Sequence, residues 1–313
     1  MTSLAARYAA LVCDLDGVVY RGPAAVPHAV DALGALTVPV VYATNNASRP
    51  PADVAAHLQE LGLGCTPEQV VTSSDAAAWL LVRDAEAGSR VLAVGGPGVV
   101  VALEAAGFVG VAPRDHDGFG YAAVVQGYGA GVTATDLAEA AYAVEDGARW
   151  VATNTDATLP TDRGVAPGNG MLVAAVARAV GRNPDAVAGK PHPPLYLLAA
   201  ERLDVAADRL LAVGDRLDTD IEGAVGAGAD SLLVLTGVDD LDAVLDAPAE
   251  RRPTFVAPDL RWLHRDPEDG SPSLADLAAA VAAVHRAADD GAGERAAALR
   301  ETARRMLADL HAE

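Results

Sequence analysis

Among 313 residues the chain carries two cysteines and three methionines, and only 4% of it is aromatic. Cys13 and Cys65 are too few for a disulfide scaffold. Cys13 sits in an apolar run and reads as a small buried hydrophobe. No grouping of cysteine and histidine suggests zinc. Basic residues are also scarce: 23 Lys and Arg face 43 Asp and Glu, for a formal net charge of -20. Such a balance argues against nucleic acid or anionic lipid as partner. No stretch approaches the roughly 18 charge-free apolar residues of a membrane span. The N-terminal "MTSLAARYAALVCDLDG" lacks signal-peptide order, because Asp14 and Asp16 break the apolar stretch early. The expected setting is the cytoplasm.

Apolar residues make up 51% of the chain, enough for a large core. The length favours two domains, with room for a tail. Strands are expected at 10–13 and 38–43, and helices at 27–36 and from Ser48 to Gly62, with another helix starting near Thr72 to Asp75. This alternation predicts a parallel α/β sheet. Residues 84–188 repeat it: a strand and helix at 90–108, a strand at 121–129, a helix at 133–150 and a helix closed by Gly181. Here "VGGPG", 94–98, reads as a tight strand-to-helix turn, since it lacks the spacing of a nucleotide motif. Residues 208–230 read as strand, acidic loop and helix. The last 50 residues read as two Ala-rich helices split by "DGAG", the first capped by Ser273 with Asp276. The boundaries are therefore 1–83 and 189–263 for one α/β domain, 84–188 for an inserted α/β domain and 264–313 for a helical extension.

Four polar sites follow apolar strands: "DLDG" at 14–17, "TNNAS" at 44–48, "GKPHP" at 189–193 and "GDRLDTD" at 214–220. In an open parallel sheet, residues beyond the carboxyl ends of the strands share one crevice. Asp14, Asp16 and Asp215 would repel one another there without a cation. Oxygen ligands favour Mg2+, held by Asp14, the Asp16 carbonyl and Asp215. A carboxylate can attack phosphorus, so Asp14 is the candidate nucleophile. Asp16 would donate a proton to the leaving oxygen and then help water. Thr44 offers a hydroxyl to the phosphoryl group and Asn45 an amide, while Lys190 supplies positive charge. Asp220 would orient Lys190 or metal-bound water.

With these residues in place, "DLDGVVY", "TNNAS", "GKPHP" and "GDRLDTDI" resemble the four ordered motifs of the haloacid dehalogenase-like phosphatases, over about residues 8–263. The likeness is to the 4-nitrophenylphosphatase-type subfamily, which carries a large α/β cap between its second and third motifs. Within it, "VVTSSDAAAWLL", "TLPTDRG", "PGNGMLVA" and "VLTGV" resemble actinobacterial members of glycerol 3-phosphate type. The resemblance implies a Rossmannoid core with an inserted cap and Mg2+-dependent hydrolysis of a small organic phosphate ester through an aspartyl phosphate. It also implies a homodimer through the cap. In such proteins the segment matching 152–170 faces the site, so Asn154 and Asp156 become candidates for substrate contact, with Arg163 behind them. Few aromatics are available to stack a base or pyridoxal ring. That favours glycerol 3-phosphate or phosphoglycolate over pyridoxal phosphate or a nucleoside monophosphate. A Schiff-base phosphonatase would need a cap lysine, and 84–188 has none. A phospho-receiver or a non-catalytic binding protein is the alternative from another class. Asp16 as acid/base speaks for turnover, and the inserted cap for a discrete substrate.

Overall fold

The computed structural model describes residues 2–116, 120–161 and 163–311. Asp162, in the polar segment 152–170, and Ala312 and Glu313, in the last expected helix, lie outside the described residues. The chain forms two compact units. One is Met1–Tyr42, Leu58–Cys65 and Ala199–Glu313; the other is Ala43–His57 and Thr66–Leu198.

The first unit is built on strands in the order Phe255–Ala257, Asp230–Val234, Leu210–Gly214, Ala10–Asp14 and Val40–Thr44, of which the first four are parallel and the last runs on past Tyr42. Their apolar runs are continuous rather than alternating, as strands covered on both faces require. Ala10 to Cys13 and Leu210 to Val213 are all buried. Cys13 pairs with Val213, so Asp14 and Asp215 leave adjacent strands at the same edge. The acidic loop expected after Leu210–Gly214 is instead one wide helical turn, Leu217–Ile221, in which the Ile221 N–H reaches the carbonyl of Arg216. It leads directly into the helix Glu222–Ala227.

The last 50 residues belong to this unit. The Ser273 hydroxyl caps the helix Leu274–Asp289, with Asp276 returning the bond to the Ser273 N–H. This helix packs on Leu241–Leu245 and Phe255–Ala257 and buries Leu277, Val281, Val284 and His285. Gly291, at φ +72°, allows the reversal into the helix Gly293–His311. Arg252 meets Asp289 with two 2.7 Å bonds, Arg300 meets Asp246, and Arg304 meets Asp242.

The second unit holds a five-stranded parallel sheet in the order Ala186–Val187, Arg149–Ala152, Ala123–Gln126, Arg90–Val94 and Val109–Val111. Trp150 is fully buried at the centre of one face, among Leu92, Val124, Val144 and Val173. Its indole N–H donates to Gln126 Oε1 at 3.1 Å. The helices Ala134–Glu145 and Asn169–Val180 supply that face. "VGGPG" is the turn expected, with Gly96 preceding the helix Pro97–Ala105. Two elements differ from expectation. Val70–Thr72 is a short strand before the helix Ser73–Val82. The polar segment 152–170 contains an antiparallel hairpin, Thr158–Thr161 with Gly164–Pro167. Among the described residues, no helix is long and apolar enough to cross a membrane.

Candidate active site

The first unit gathers three carboxylates. Asp14 is half-buried at its strand end, while Asp215 and Asp220 are 1% and 2% exposed. One oxygen from each lies within 4.8 Å of the other two. The loop after Asp14 turns at Gly17, whose φ is +86°, while the Leu15 carbonyl accepts the N–H groups of Val19 and Tyr20. A Cβ on Gly17 or on Gly237 would overlap the Asp215 carboxylate, so both backbones must pass it bare. Asp215 Oδ2 accepts the Val238 N–H at 2.8 Å, and Asp220 Oδ2 accepts the Arg216 N–H at 3.2 Å.

Three carboxylates this close and this buried are unfavourable together unless a cation stands among them. The donor set is all oxygen, with no imidazole or thiolate in the group, which fits Mg2+ or Ca2+ rather than zinc. Asp220 thus enters the acid cluster itself. The Asp16 side chain is exposed and lies outside the group. Arg216 and Asp218 pair with each other at the exposed rim.

The second unit gathers the remaining candidates. Thr44 is buried, and its hydroxyl oxygen accepts the Asn46 N–H at 3.1 Å. Lys190 is 3% exposed, and its ammonium reaches the Ala43 carbonyl at 3.4 Å. Asn45 Oδ1 accepts the Lys190 N–H at 2.8 Å, while Nδ2 donates to the Lys190 carbonyl at 3.0 Å and to the Asp156 carboxylate at 3.2 and 3.3 Å. Asn154 Nδ2 donates to the Asn45 carbonyl at 2.8 Å, and Asn154 Oδ1 accepts the Asp156 N–H at 3.2 Å. Arg163 is exposed in the hairpin turn. Ser48 sends its hydroxyl to Asn46 Oδ1 rather than capping a helix.

Several supporting residues were not foreseen. Ser73 Oγ donates to the Asn45 carbonyl and Asn169 Nδ2 to the Asn154 carbonyl. In the first unit, Thr236 donates to the Gly17 carbonyl, and Asp239 accepts the Leu217 N–H at 2.6 Å. Thr236 and Val238 lie in "VLTGV", which had carried only a resemblance. One signal was in plain view: Lys190 is the sole lysine of the chain, every other strongly basic side chain being arginine.

Residues 11–109 match the family model for haloacid dehalogenase-like hydrolases, and 187–263 match a second, HAD-hydrolase-like model. The chain is 48% identical over 267 residues to the D-glycerol 3-phosphate phosphatase of Mycobacterium tuberculosis, covering 85% of this chain and 74% of that protein. It is 35% identical over 257 residues to an acid sugar phosphatase of Staphylococcus aureus, covering 81% and 96%. The crystal structure of the glycerol phosphate phosphatase of Mycobacterium tuberculosis with magnesium superimposes with a TM-score of 0.80 at 48% identity, covering 85% of this chain and 79% of that one. The parallel sheets and both family matches give a Rossmannoid α/β core with an inserted cap. By sequence, fold and acid cluster alike, the chain belongs to the haloacid dehalogenase-like hydrolases, as a phosphatase.

Proposed function

We propose that this protein is a Mg2+-dependent phosphatase of small phosphomonoesters, with glycerol 3-phosphate its preferred substrate. The acid cluster of Asp14, Asp215 and Asp220 carries the reading, supported by the 48% identity to a D-glycerol 3-phosphate phosphatase. Asp14 and Asp215 would hold the ion through carboxylate oxygens and Asp16 through its carbonyl, with Asp220 in support. A divalent ion bound there would neutralise charge on the phosphoryl oxygens.

The chain's own groups do the rest. An Asp14 carboxylate oxygen attacks phosphorus, and the bond to the ester oxygen breaks. Asp16 gives that oxygen its proton, so an alcohol leaves and an aspartyl phosphate remains. Asp16 then takes a proton from water, whose oxygen attacks phosphorus, breaking its bond to Asp14, releasing phosphate and leaving Asp14 a carboxylate and Asp16 protonated for the next turnover. Thr44 and Lys190 hold the phosphoryl oxygens, and Lys190 offsets their charge. Asp156 would contact the substrate's alcohol. The reading includes a cytoplasmic setting, a cap spanning 84–188 and a homodimer through it.

A panel of phosphomonoesters ranked by kcat/KM tests the substrate. Glycerol 3-phosphate should exceed nucleoside monophosphates, pyridoxal phosphate and sugar phosphates by at least about tenfold, which asks for about 1.4 kcal/mol of discrimination. A flat ranking, or sugar phosphates leading, defeats the glycerol 3-phosphate assignment. Asp14→Asn should abolish phosphate release; full activity in that variant would remove Asp14 as nucleophile.

A further inference from the structure

The side-chain amide of Asn45 grips a single residue at both of its backbone polar groups. Its Oδ1 takes the Lys190 N–H at 2.8 Å and its Nδ2 serves the Lys190 carbonyl at 3.0 Å. One side chain thus does for Lys190 what a neighbouring strand does for a ladder residue. The other Nδ2 hydrogen goes to Asp156, so both hydrogens of the amide are committed within the protein. The network also fixes the amide's orientation, because a flipped Asn45 would turn its oxygen toward a carbonyl and a carboxylate.

Asn45 is braced in turn. Its carbonyl accepts from Asn154 Nδ2 at 2.8 Å and from Ser73 Oγ at 2.7 Å. Asn154 and Asn169 are 4% and 2% exposed, and Asn169 Nδ2 holds the Asn154 carbonyl at 2.8 Å. The close approach needs Gly189: a Cβ there would lie 2.6 Å from Asn45 Oδ1 and 2.6 Å from the Thr153 carbonyl.

We propose that Asn45 is a positioning residue for Lys190, with Asn154 as its brace, and that both act on the phosphoryl group through Lys190 rather than by touching substrate. This rests on the reading of Lys190 as the phosphoryl-holding cation. A lysine ammonium rides on four flexible carbons, so pinning its backbone at two points sets where that stem begins. Misplacing a catalytic group by about 1 Å can cost about 10²-fold in rate.

Because Lys190 is the only lysine, [15N]lysine labelling gives one lysine backbone amide resonance, that of Lys190. Asn45→Ala should speed its hydrogen exchange at least about tenfold, and Asn154→Ala by less. With 4-nitrophenyl phosphate and Mg2+, Asn45→Ala should lower kcat about 10²-fold while KM stays within about threefold. In a Lys190→Ala background the same change should cost less than about threefold more. Unchanged exchange overturns the clamp. Losses that add across Asn45 and Lys190, or fall on KM alone, overturn its action through Lys190. Asn154→Ala leaves the clamp intact and loosens its brace; should Asn45→Ala fail to fold, this variant supplies the same exchange and non-additivity readings. A wild-type protein that releases no phosphate, while its Lys190 exchange still responds to Asn45→Ala, overturns the phosphatase reading and supports the clamp.

Discussion

Asp215 carries a tightly constrained carboxylate, bordered by two glycines and held by the Val238 N–H. Gly237→Ala puts a methyl group where that carboxylate sits. The substitution should lower kcat at least about 10²-fold by displacing a ligand, and destabilise the fold by about 1–3 kcal/mol through overpacking. Calorimetric Mg2+ titration and urea unfolding would check the two effects separately. The acids themselves were legible in the sequence, because a continuous buried strand that ends in Asp advertises a group no core accepts unpartnered. Asp220 was foreseen near the site but not in the cluster. Its place depends on the wide turn Leu217–Ile221, which composition does not announce. The Asn45 clamp was illegible for another reason: its two halves stand 145 residues apart, and only the folded chain makes them neighbours.

The helix Leu274–Asp289 is the element whose attachment is easiest to test. Ser273 and Asp276 form a reciprocal cap, so Ser273→Ala should cost about 1 kcal/mol in urea unfolding. The Arg252–Asp289 and Arg304–Asp242 pairs are solvent-exposed, and neutralising either should change stability little. His285 is the buried anchor. Its Nε2–H donates to the Val244 carbonyl at 2.8 Å. Burial pushes its imidazole below the usual histidine pKa; the Val244 carbonyl and Asp289 pull the other way, and Arg252 and Arg300 add to the depression. The unfolded chain therefore binds a proton that the folded one resists. Stability from this group is full above about pH 6.5 and falls as pH drops from there toward the lowered folded value. Urea midpoints at pH 7.5 and 5.5 should differ more for wild type than for His285→Gln; equal differences would exclude His285 as the source. The cap and the split between the two tail helices were readable because Ser-x-x-Asp and Asp-Gly carry local physics. The hairpin Thr158–Thr161 with Gly164–Pro167 was not, since its strands are only four residues long and include Pro160 and Pro167.

At the scale of the molecule, the acid cluster couples metal to folding. Added Mg2+ should raise Tm, and Asp215→Asn should erase that rise, because an ion that binds only the folded chain stabilises it by mass action. Chelation with EDTA should stop phosphate release, and excess Mg2+ should restore it. The proposed homodimer predicts a light-scattering mass of twice 31.8 kDa; a value of 31.8 kDa would refute it. The alternation of strand and helix was legible along most of residues 1–263, but which strands are neighbours was not. Ala10 pairs with Leu210 and Cys13 with Val213, so the first strand written by the ribosome has one flank open until some 200 residues later. At about 5–20 residues per second that wait is on the order of 10–40 s. During it, Ala10–Asp14 is a nascent, apolar strand edge of the kind that chaperones hold or that aggregates recruit. The arrangement that brings Asp14 and Asp215 side by side therefore also makes birth on the ribosome the chain's most vulnerable moment.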